Sequence, residues 1–422
     1  MDSYQFQNES VQTKTRGPVR VSLGVLIICI LLTALIVFMT TFAIYSAYCK
    51  KAVQAAYGRF AEFDKLTEFA EIYDQMDLYD VDKETLDEAL TIAYIYHCGD
   101  PYSAYYTAEE WANEQQAASG STVGVGFYFT TTEAGDLCVT KVMQNSPADL
   151  AGLQDGDVIV SVDGHKVRTI GYVAAANLVR GDIGTSVTFE ISRSGKTFSV
   201  AVTRDVYDVQ TVFAELVVNE GRTLGYVKIS EFLSAQTTGI QFRTTVNSLI
   251  QNGAEGLIFD VRDNGGGDLN AILYILDYLL PEGPMVHIYS TESATPVTYY
   301  SGKSEIDLPM VVLTNEYTAS ASELFVAALR DYEKASIVGM KTYGKGCGQS
   351  GRELSDGSVV FLTNFLYNPP YSENYDGVGI YPDHEIGMDE KWKDTNLFLV
   401  PHEEDAQLYK AVSVLTNTVS GN

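Results

Sequence analysis

The chain has 422 residues, which is enough for two or more domains with separate hydrophobic cores. Its formal net charge of −27 argues against a nucleic-acid partner, because phosphate binding requires a basic surface. The five cysteines are scattered, odd in number and without metal-ligand spacing, so we expect no disulfide framework, no metal site and no other cofactor.

The N-terminal part of the chain has the pattern of a membrane anchor. Residues 1–20 are polar and place Lys14, Arg16 and Arg20 directly before an apolar stretch, and residues 21–48 contain no charged side chain. Such a stretch is long enough to cross a bilayer of about 30 Å, whereas the apolar core of a signal peptide spans only about 7–15 residues. We therefore predict a cytoplasmic tail (1–20) and a transmembrane helix (21–48). The basic residues before it predict a single-pass cell-membrane protein whose body lies outside the cytoplasm.

Residues 49–119 are predicted to form an N-terminal helical region. An apolar stripe recurs at three- and four-residue steps from Val53 to Tyr73. A second helix is predicted from an N-cap at Asp82 to His97, because glycine and proline at 99–101 would end it.

Residues 120–204 are predicted to form a β-rich module. A Gly-x-Gly-Phe sequence opens a strand, and NSPADLAGLQDGDVIVSVDG follows at 145–164. A helix is predicted over 172–179, and strands over 187–192 and 197–203. Together these features resemble a PDZ domain, in which the Gly-x-Gly-Phe loop offers backbone N–H groups to the terminal carboxylate of a peptide. By that resemblance the peptide-binding residues are Gly124, Val125, Gly126 and Phe127. The alternative is a lid or rigid spacer that binds no tail.

Residues 205–400 alternate between predicted strands and helices, which is typical of an α/β domain. Strands are predicted at 224–229, 256–261, 311–313, 336–339 and 358–367, and helices at 237–251, 269–280 and 322–329. Residues 401–422 are predicted to form a C-terminal tail with a short helix over 405–415.

A serine and a lysine in this domain could act together as a nucleophile and its base. The sequence has no Gly-x-Ser-x-Gly elbow, and none of its five histidines lies in a recognisable motif. Ser320 stands at the mouth of a predicted helix, and Lys345 stands on a glycine-rich loop. An ordinary lysine has a pKa of about 10.4, but burial lowers it and allows the neutral amine to accept the serine proton.

A nucleotide-binding loop is the rival interpretation of Lys345. Residues 339–345 fit Gly-x-x-x-x-Gly-Lys, yet Gly346 stands where magnesium binding requires serine or threonine. The loop is also followed by a predicted strand rather than by a helix that could bind phosphate. The sequence therefore favours the Ser-Lys interpretation.

The chain resembles the C-terminal processing peptidases, or tail-specific proteases, over residues 99–415. The motifs that carry the resemblance occur in the family's order: GDPYSAYYTAEEW (99–111), GYVKISEF (225–232), GLIFDVRDNGGG (256–267), TASASELFVAALRDYEKASIVGMKTYGKGCGQ (318–349) and GVGIYPD (377–383). The resemblance implies an α/β serine peptidase core similar to ClpP and crotonase, preceded by a PDZ domain.

The resemblance also implies roles for particular residues. Ser320 would be the nucleophile, Lys345 the base, and Gln349 the residue that steadies the lysine. Backbone N–H groups of Gly266 and Ala321 would form the oxyanion hole. Gly265 replaces the family's usual proline, so we expect a looser oxyanion turn. Asp331 is expected to form structural contacts only, Ser322 to bond backbone amides at the helix start, and Cys347 to be incidental.

We therefore predict a membrane-anchored serine endopeptidase that cleaves proteins near their C-termini. Its predicted partners are protein substrates, bound through their tails, and the membrane; a homodimer is left open. The alternative is a catalytically inactive, membrane-tethered PDZ adaptor, although such a scaffold would need neither Ser320 nor Lys345.

Overall fold

The computed structural model describes residues 82–118 and 120–421, with isolated positions at 39–41, 45 and 65–66. The predicted cytoplasmic tail, nearly all of the predicted anchor at 21–48 and the helix predicted around Val53 to Tyr73 lie outside these residues. Among the described residues we find no helix with the length and apolar character needed to cross a bilayer.

A helix and a short strand flank the loop of residues 98–103 near the start of the described chain. Helix α1 (Lys83–His97) follows Asp82, whose carboxylate accepts a hydrogen bond of 2.7 Å from the Thr85 hydroxyl, in keeping with the predicted N-cap. Strand β1 (Ala104–Tyr106) and helix α2 (Ala108–Ala118) come next. The strand was not predicted, because three half-buried residues carry little periodicity.

The next module is a β-rich domain built on one antiparallel sheet and two helices. Its elements are β2 (Ser121–Gly124), β3 (Phe127–Thr131), β4 (Leu137–Val142), α3 (Pro147–Leu150), β5 (Val158–Val162), β6 (His165–Lys166), α4 (Val167–Val179), β7 (Ser186–Arg193), β8 (Lys196–Thr203) and β9 (Asp205–Asp208). Strands β2 and β9 pair in a separate two-stranded sheet. The main sheet has the order β3-β4-β5-β7-β8, with β6 paired to β5, so β3 is an edge strand. Alternating inward side chains such as Val187, Phe189 and Ile191 form its core.

A mostly parallel sheet forms the centre of the second domain. Its strand order is β10 (Val212–Asn219), β11 (Arg222–Ile229), β12 (Leu257–Asp260), β15 (Met310–Thr314), β16 (Ala335–Gly339) and β19 (His384–Glu385). Only the pair β10–β11 is antiparallel. Because helices cover both faces, the inner strands β12, β15 and β16 are buried and mostly apolar, which is why the sequence predicted them.

The helices of this domain divide between the two faces of the sheet. One face carries α5 (Ile240–Gln251), preceded by a π-helical turn (Ala235–Gly239), together with α6 (Leu269–Leu279) and α7 (Ala321–Asp331). The C-terminal helix α8 (Ala406–Gly421) covers the other face, where Leu408 and Leu415 pack with Ile258 and Val311. The sequence placed these helices correctly but ended α8 too early.

A second sheet lies beside helix α7. It contains β13 (Gly283–Ser290), β14 (Val297–Ser301), β17 (Cys347–Glu353) and β18 (Val359–Asn368), and β1 pairs with β18 at its edge. The hairpin β13–β14 was not predicted, because its side chains are mostly half-buried or exposed and form no continuous apolar run. This sheet brings residue 104 next to residue 361, so β1 lies on the strand that also pairs with β17.

Candidate active site

Ser320 occupies a strained turn between β15 and α7. Its φ is +59°, in the left-handed region that side chains other than glycine rarely adopt. Its backbone N–H donates to Glu323 Oε2 at 2.9 Å, and the preceding Thr318 hydroxyl donates to the Val261 carbonyl at 2.8 Å. The turn thus projects the Ser320 side chain from the carboxyl ends of the parallel strands, where open α/β sheets place their sites.

The Lys345 loop is fastened to the Ser320 turn by the carboxylate of Glu323. Backbone N–H groups of Gly344 and Lys345 each donate to this carboxylate at 2.7 Å, and the Thr342 hydroxyl donates at 2.5 Å. Glu323 is fully buried, and burial raises its pKa while these hydrogen bonds oppose the shift. Sequence reasoning missed Glu323, although a serine followed three residues later by glutamate is the pattern of a capping box.

The ammonium group of Lys345 is held by Gln349. Its Nζ donates to Gln349 Oε1 at 3.0 Å, and Gln349 Nε2 donates to Thr363 Oγ1 at 3.0 Å. Burial lowers the pKa of Lys345, while the nearby Cys347, Asp100 and Asp376 oppose that shift. A lowered pKa increases the fraction of neutral amine, which is the form that can act as a base.

The Ser320 hydroxyl has a different partner in this structure. Tyr367 OH lies 3.2 Å from Ser320 Oγ and donates to the Lys345 carbonyl at 2.7 Å. In the described part of the chain, no hydrogen bond joins Ser320 Oγ to Lys345 Nζ, although both residues line one cavity of about 550 Å³. The sequence pattern carried no signal for Tyr367, because a buried tyrosine in a strand is most often part of the core.

Gly266 and Ala321, the two predicted oxyanion residues, lie side by side, but their backbone N–H groups differ in whether they already have a hydrogen-bond acceptor. A Cβ at Gly266 would stand 2.8 Å from Ser320 Cβ and 2.9 Å from Ala321 N, so only glycine fits there. Among the described residues, no acceptor lies within hydrogen-bond distance of Ala321 N. Gly266 N, by contrast, donates to Asn264 Oδ1 at 2.9 Å, which the sequence did not indicate.

The turn that contains Gly265 is well fastened, contrary to the expectation of looseness. Phe232 N donates to the Gly266 carbonyl at 3.0 Å, and Asn264 Nδ2 donates to the Ile229 carbonyl at 3.0 Å. These bonds hold the turn at both sides of Gly265. No atom would lie within 4 Å of a Cβ at Gly265.

Three neighbouring residues had been assigned minor roles. Asp331 accepts hydrogen bonds from the backbone N–H groups of Tyr371 and Ser372, both at 2.8 Å, so it forms structural contacts as expected. Ser322 does not bond backbone amides; its Oγ is buried and has no partner among the described residues, so that prediction was wrong. Burial raises the pKa of the Cys347 thiol to about 11, which keeps it protonated near neutral pH.

The Lys345 loop is unsuited to phosphate. The N–H groups of Gly344 and Lys345 are already donated to Glu323, and the loop runs into strand β17 rather than into a helix. The geometry therefore removes the nucleotide-loop alternative.

The Gly-x-Gly-Phe loop has the geometry of an anion-binding turn. Gly126 has φ of +84°, and its carbonyl accepts from Met143 N at 3.0 Å and from Ser146 Oγ at 2.9 Å. Within residues 120–421, no acceptor lies within hydrogen-bond distance of Val125 N or Gly126 N. The loop leads into β3, whose outer edge has no strand partner in the described residues.

Comparisons with known proteins agree with this fold. Peptidase family S41 matches residues 223–386, and the PDZ domain family matches residues 138–193. The carboxyl-terminal-processing protease of Synechocystis sp. is 33% identical over 291 residues, which cover 68% of this chain and 68% of that protein. The carboxyl-terminal-processing protease of Picosynechococcus sp. is 32% identical over 321 residues, which cover 75% of this chain and 76% of that protein.

A solved structure shares the fold. The crystal structure assigned to an S41 protease of Bacteroides fragilis superposes with a TM-score of 0.56 at 17% identity, covering 81% of this chain and 92% of that one. Fold and site together define a serine-type peptidase with a PDZ domain on a mixed α/β scaffold. The chain belongs to the carboxyl-terminal-processing proteases of peptidase family S41. The inactive-adaptor alternative is not favoured by these findings.

Proposed function

We propose that this protein is a membrane-anchored endopeptidase that cleaves proteins near their C-termini through a dyad of Ser320 and Lys345. The observation that carries the proposal is the Glu323 carboxylate, which holds the turn of Ser320 and the loop of Lys345 against one cavity. The lowered pKa of Lys345 supports its role as the base. Gln349 supports it further, because its amide oxygen orients the lysine Nζ.

The proposed reaction is acyl transfer. The Ser320 side chain leaves Tyr367 and turns towards neutral Lys345, which takes its proton while Oγ attacks the scissile carbonyl. Ala321 N–H receives the developing oxyanion, and Gly266 N–H joins it once it is released from Asn264. Lys345 then protonates the leaving amine, and water hydrolyses the acyl-enzyme with Lys345 again as the base.

The PDZ domain is proposed to bind the substrate's C-terminal tail. The free N–H groups of Val125 and Gly126 would receive the terminal carboxylate, with Gly124 and Phe127 shaping the same loop, and the tail would pair with the open edge of β3. Tyr128 on β3 donates a hydrogen bond of 3.2 Å to Glu231 Oε1, and Glu231 lines the catalytic cavity. Tail binding can thereby act on the site as well as deliver the substrate.

Anchoring through residues 21–48, with the catalytic body outside the cytoplasm, is proposed from the uncharged length of that stretch and the basic residues before it. Membrane fractionation of the full chain, with a chain lacking residues 1–48 as the comparison, tests this assignment. Recovery of the full chain in the soluble fraction would contradict it.

The dyad is tested with Ser320→Ala and Lys345→Ala in the full chain. Each substitution is expected to abolish cleavage of a protein substrate, because the nucleophile or its base is lost, while circular dichroism stays unchanged. Ser322→Ala is the matched control: it removes a neighbouring buried hydroxyl that has no partner among the described residues, so activity should be retained. Mass spectrometry of substrate C-termini measures the reaction, and continued cleavage by either dyad variant would contradict the assignment.

A further inference from the structure

We propose that the loop of residues 100–103 is a working part of the active site. In this arrangement Asp100 and Thr363 are positioning residues that orient the base through Gln349, and Tyr102 covers the ammonium of Lys345. The inference rests on the proposed function of Lys345 as the base.

A continuous set of hydrogen bonds connects Asp100 to the lysine. Lys345 Nζ donates to Gln349 Oε1 at 3.0 Å, and Gln349 Nε2 donates to Thr363 Oγ1 at 3.0 Å. Thr363 N donates to Ser103 Oγ at 3.3 Å, and Ser103 Oγ donates to Asp100 Oδ2 at 2.5 Å. Because each amide or hydroxyl has its partner, the carboxamide of Gln349 is held with its oxygen towards the lysine.

Tyr102 belongs to the same arrangement. Its ring centroid lies 4.5 Å from Lys345 Nζ, and its backbone N–H donates to Asp100 Oδ1 at 3.0 Å. The Asp100 carboxylate therefore holds both Tyr102, whose ring covers the lysine, and Ser103, which belongs to the hydrogen-bond series. Neither Asp100 nor Tyr102 lines the cavity that contains Ser320, so neither is placed to hold the substrate.

The register of the second sheet explains why this distant loop reaches the site. Gln349 on β17 is directly opposite Thr363 on β18, and β18 pairs on its other edge with β1, which follows the loop. Ala104 pairs with Phe361, two residues before Thr363. The first strand after the loop thus fixes the position of Asp100 relative to Gln349.

The charge of Asp100 has a measurable consequence for the lysine. Burial lowers the pKa of Lys345, and Cys347, Asp100 and Asp376 oppose that shift. Three titratable groups act on the Lys345 ammonium: the carboxyls of Asp100 and Asp376 and the thiol of Cys347. The ring of Tyr102 also faces it, and the Tyr102 hydroxyl is bonded to that of Tyr343. At the backbone of Lys345 the neighbours are Glu323 and Tyr367. Neutralising Asp100 removes one opposing charge, so the pKa of Lys345 should fall further and the neutral amine should persist to lower pH.

The test compares Asp100→Asn and Thr363→Val with wild type in the full chain, using a protein substrate over a range of pH. Both variants should lower kcat by roughly tenfold with little change in KM, because the lysine is misoriented but the substrate cavity is intact. Asp100→Asn should also shift the acid limb of the kcat/KM profile to lower pH. Thr363→Val removes no charge and should leave that limb in place, and Thr363→Ser should retain more of the wild-type kcat than Thr363→Val.

Asp356→Asn is the matched control. Asp356 makes the same kind of turn, accepting from Ser358 N at 3.0 Å and from the Ser358 hydroxyl at 2.6 Å, and it is not among the charges that act on Lys345. Its substitution should change neither kcat nor the pH profile.

Wild-type kcat in Thr363→Val, or loss of kcat in Asp100→Asn without a shifted acid limb, would overturn the inference. If Asp100→Asn fails to fold, Thr363→Val decides alone. Cleavage by Lys345→Ala would instead refute the dyad.

Discussion

The carboxylate of Glu323 is buried. Burying such a group costs free energy unless hydrogen-bond donors replace the water that it loses. Three of those donors come from the Lys345 loop, through Thr342, Gly344 and Lys345, and the fourth is the N–H of Ser320. The residue touches no reacting atom. Its hydrogen bonds hold the turn of Ser320 and the loop of Lys345 together, and in the proposed mechanism they would fix the distance between these two residues.

Replacing Glu323 with glutamine should therefore impair both the fold and the reaction. One carboxylate oxygen becomes an NH₂ group that must face backbone N–H donors, and a buried donor without an acceptor costs about 1–3 kcal/mol, more where a charged group is involved. We expect a lower urea midpoint and a lower kcat. Glu316→Gln, which makes the same change at an exposed position, is the control and should leave both quantities unchanged. Wild-type kcat in Glu323→Gln would contradict the positioning role.

At the scale of elements, Arg262 fastens helix α8 to the end of β12. Its guanidinium donates to Asp260 Oδ2 at 2.6 Å and to Asp405 Oδ2 at 2.8 Å, and Asp405 directly precedes α8. Burial alone would raise the pKa of Asp260, but Arg262 and Lys228 outweigh it and hold that pKa below its ordinary value. Arg262 stands two residues before Asn264, whose side chain holds the N–H of Gly266.

Arg262→Leu should be strongly destabilising. It leaves the buried carboxylate of Asp405 without its cation and leaves Asp260 with only Lys228, whose Nζ is 3.6 Å away, and breaking such a buried pair costs about 3–5 kcal/mol. Urea unfolding monitored by circular dichroism measures the loss. The control is Arg352→Leu, which removes an ion pair to Glu292 whose side chains are 55% and 56% exposed, and it should cost at most about 1 kcal/mol. Equal losses in the two variants would show that burial of the pair is unimportant.

At the scale of the whole molecule, the PDZ domain and the peptidase domain meet beside the catalytic cavity. Tyr128 on the edge strand β3 reaches Glu231, and its ring stacks on Phe398 of the C-terminal segment with centroids 6.4 Å apart. Burial raises the pKa of Glu231, and the Tyr128 hydroxyl opposes the shift. A peptide added along β3 would lie next to this contact.

Gly126→Ala tests whether the PDZ loop serves the reaction. A Cβ there would lie 2.2 Å from Ser146 Cβ, so the loop must move. We expect loss of tail-peptide binding by fluorescence anisotropy, and slower cleavage of substrates that carry a matching C-terminal tail. Gly135→Ala is the control, because it shares the φ of +84° but its nearest atom would be 3.9 Å away. Unchanged tail binding in Gly126→Ala would contradict the proposed carboxylate loop.

Much of the fold could be predicted because its strands and helices carry local patterns. Strands β11, β12, β15 and β16 are continuous apolar runs, and α6 and α7 begin and end near capping residues. The hairpin β13–β14 and strand β1 escaped prediction because exposed, short strands gain their order from pairing partners that are distant in sequence.

The sequence by itself determined the family, the order of the domains and the candidates Ser320, Lys345 and Gln349, because these depend on short motifs in a fixed order. Only the tertiary structure decided how these residues meet. It showed the Glu323 carboxylate between the turn of Ser320 and the loop of Lys345, Tyr367 beside Ser320, Asn264 on the N–H of Gly266, and Asp100 at the end of the hydrogen-bond series from Lys345. Apart from the short-range bonds of Asn264 to Gly266, Glu323 to Ser320 and Asp100 to Ser103, these contacts join residues separated by many positions. Their partners are set by sheet register and helix packing, which no local pattern records.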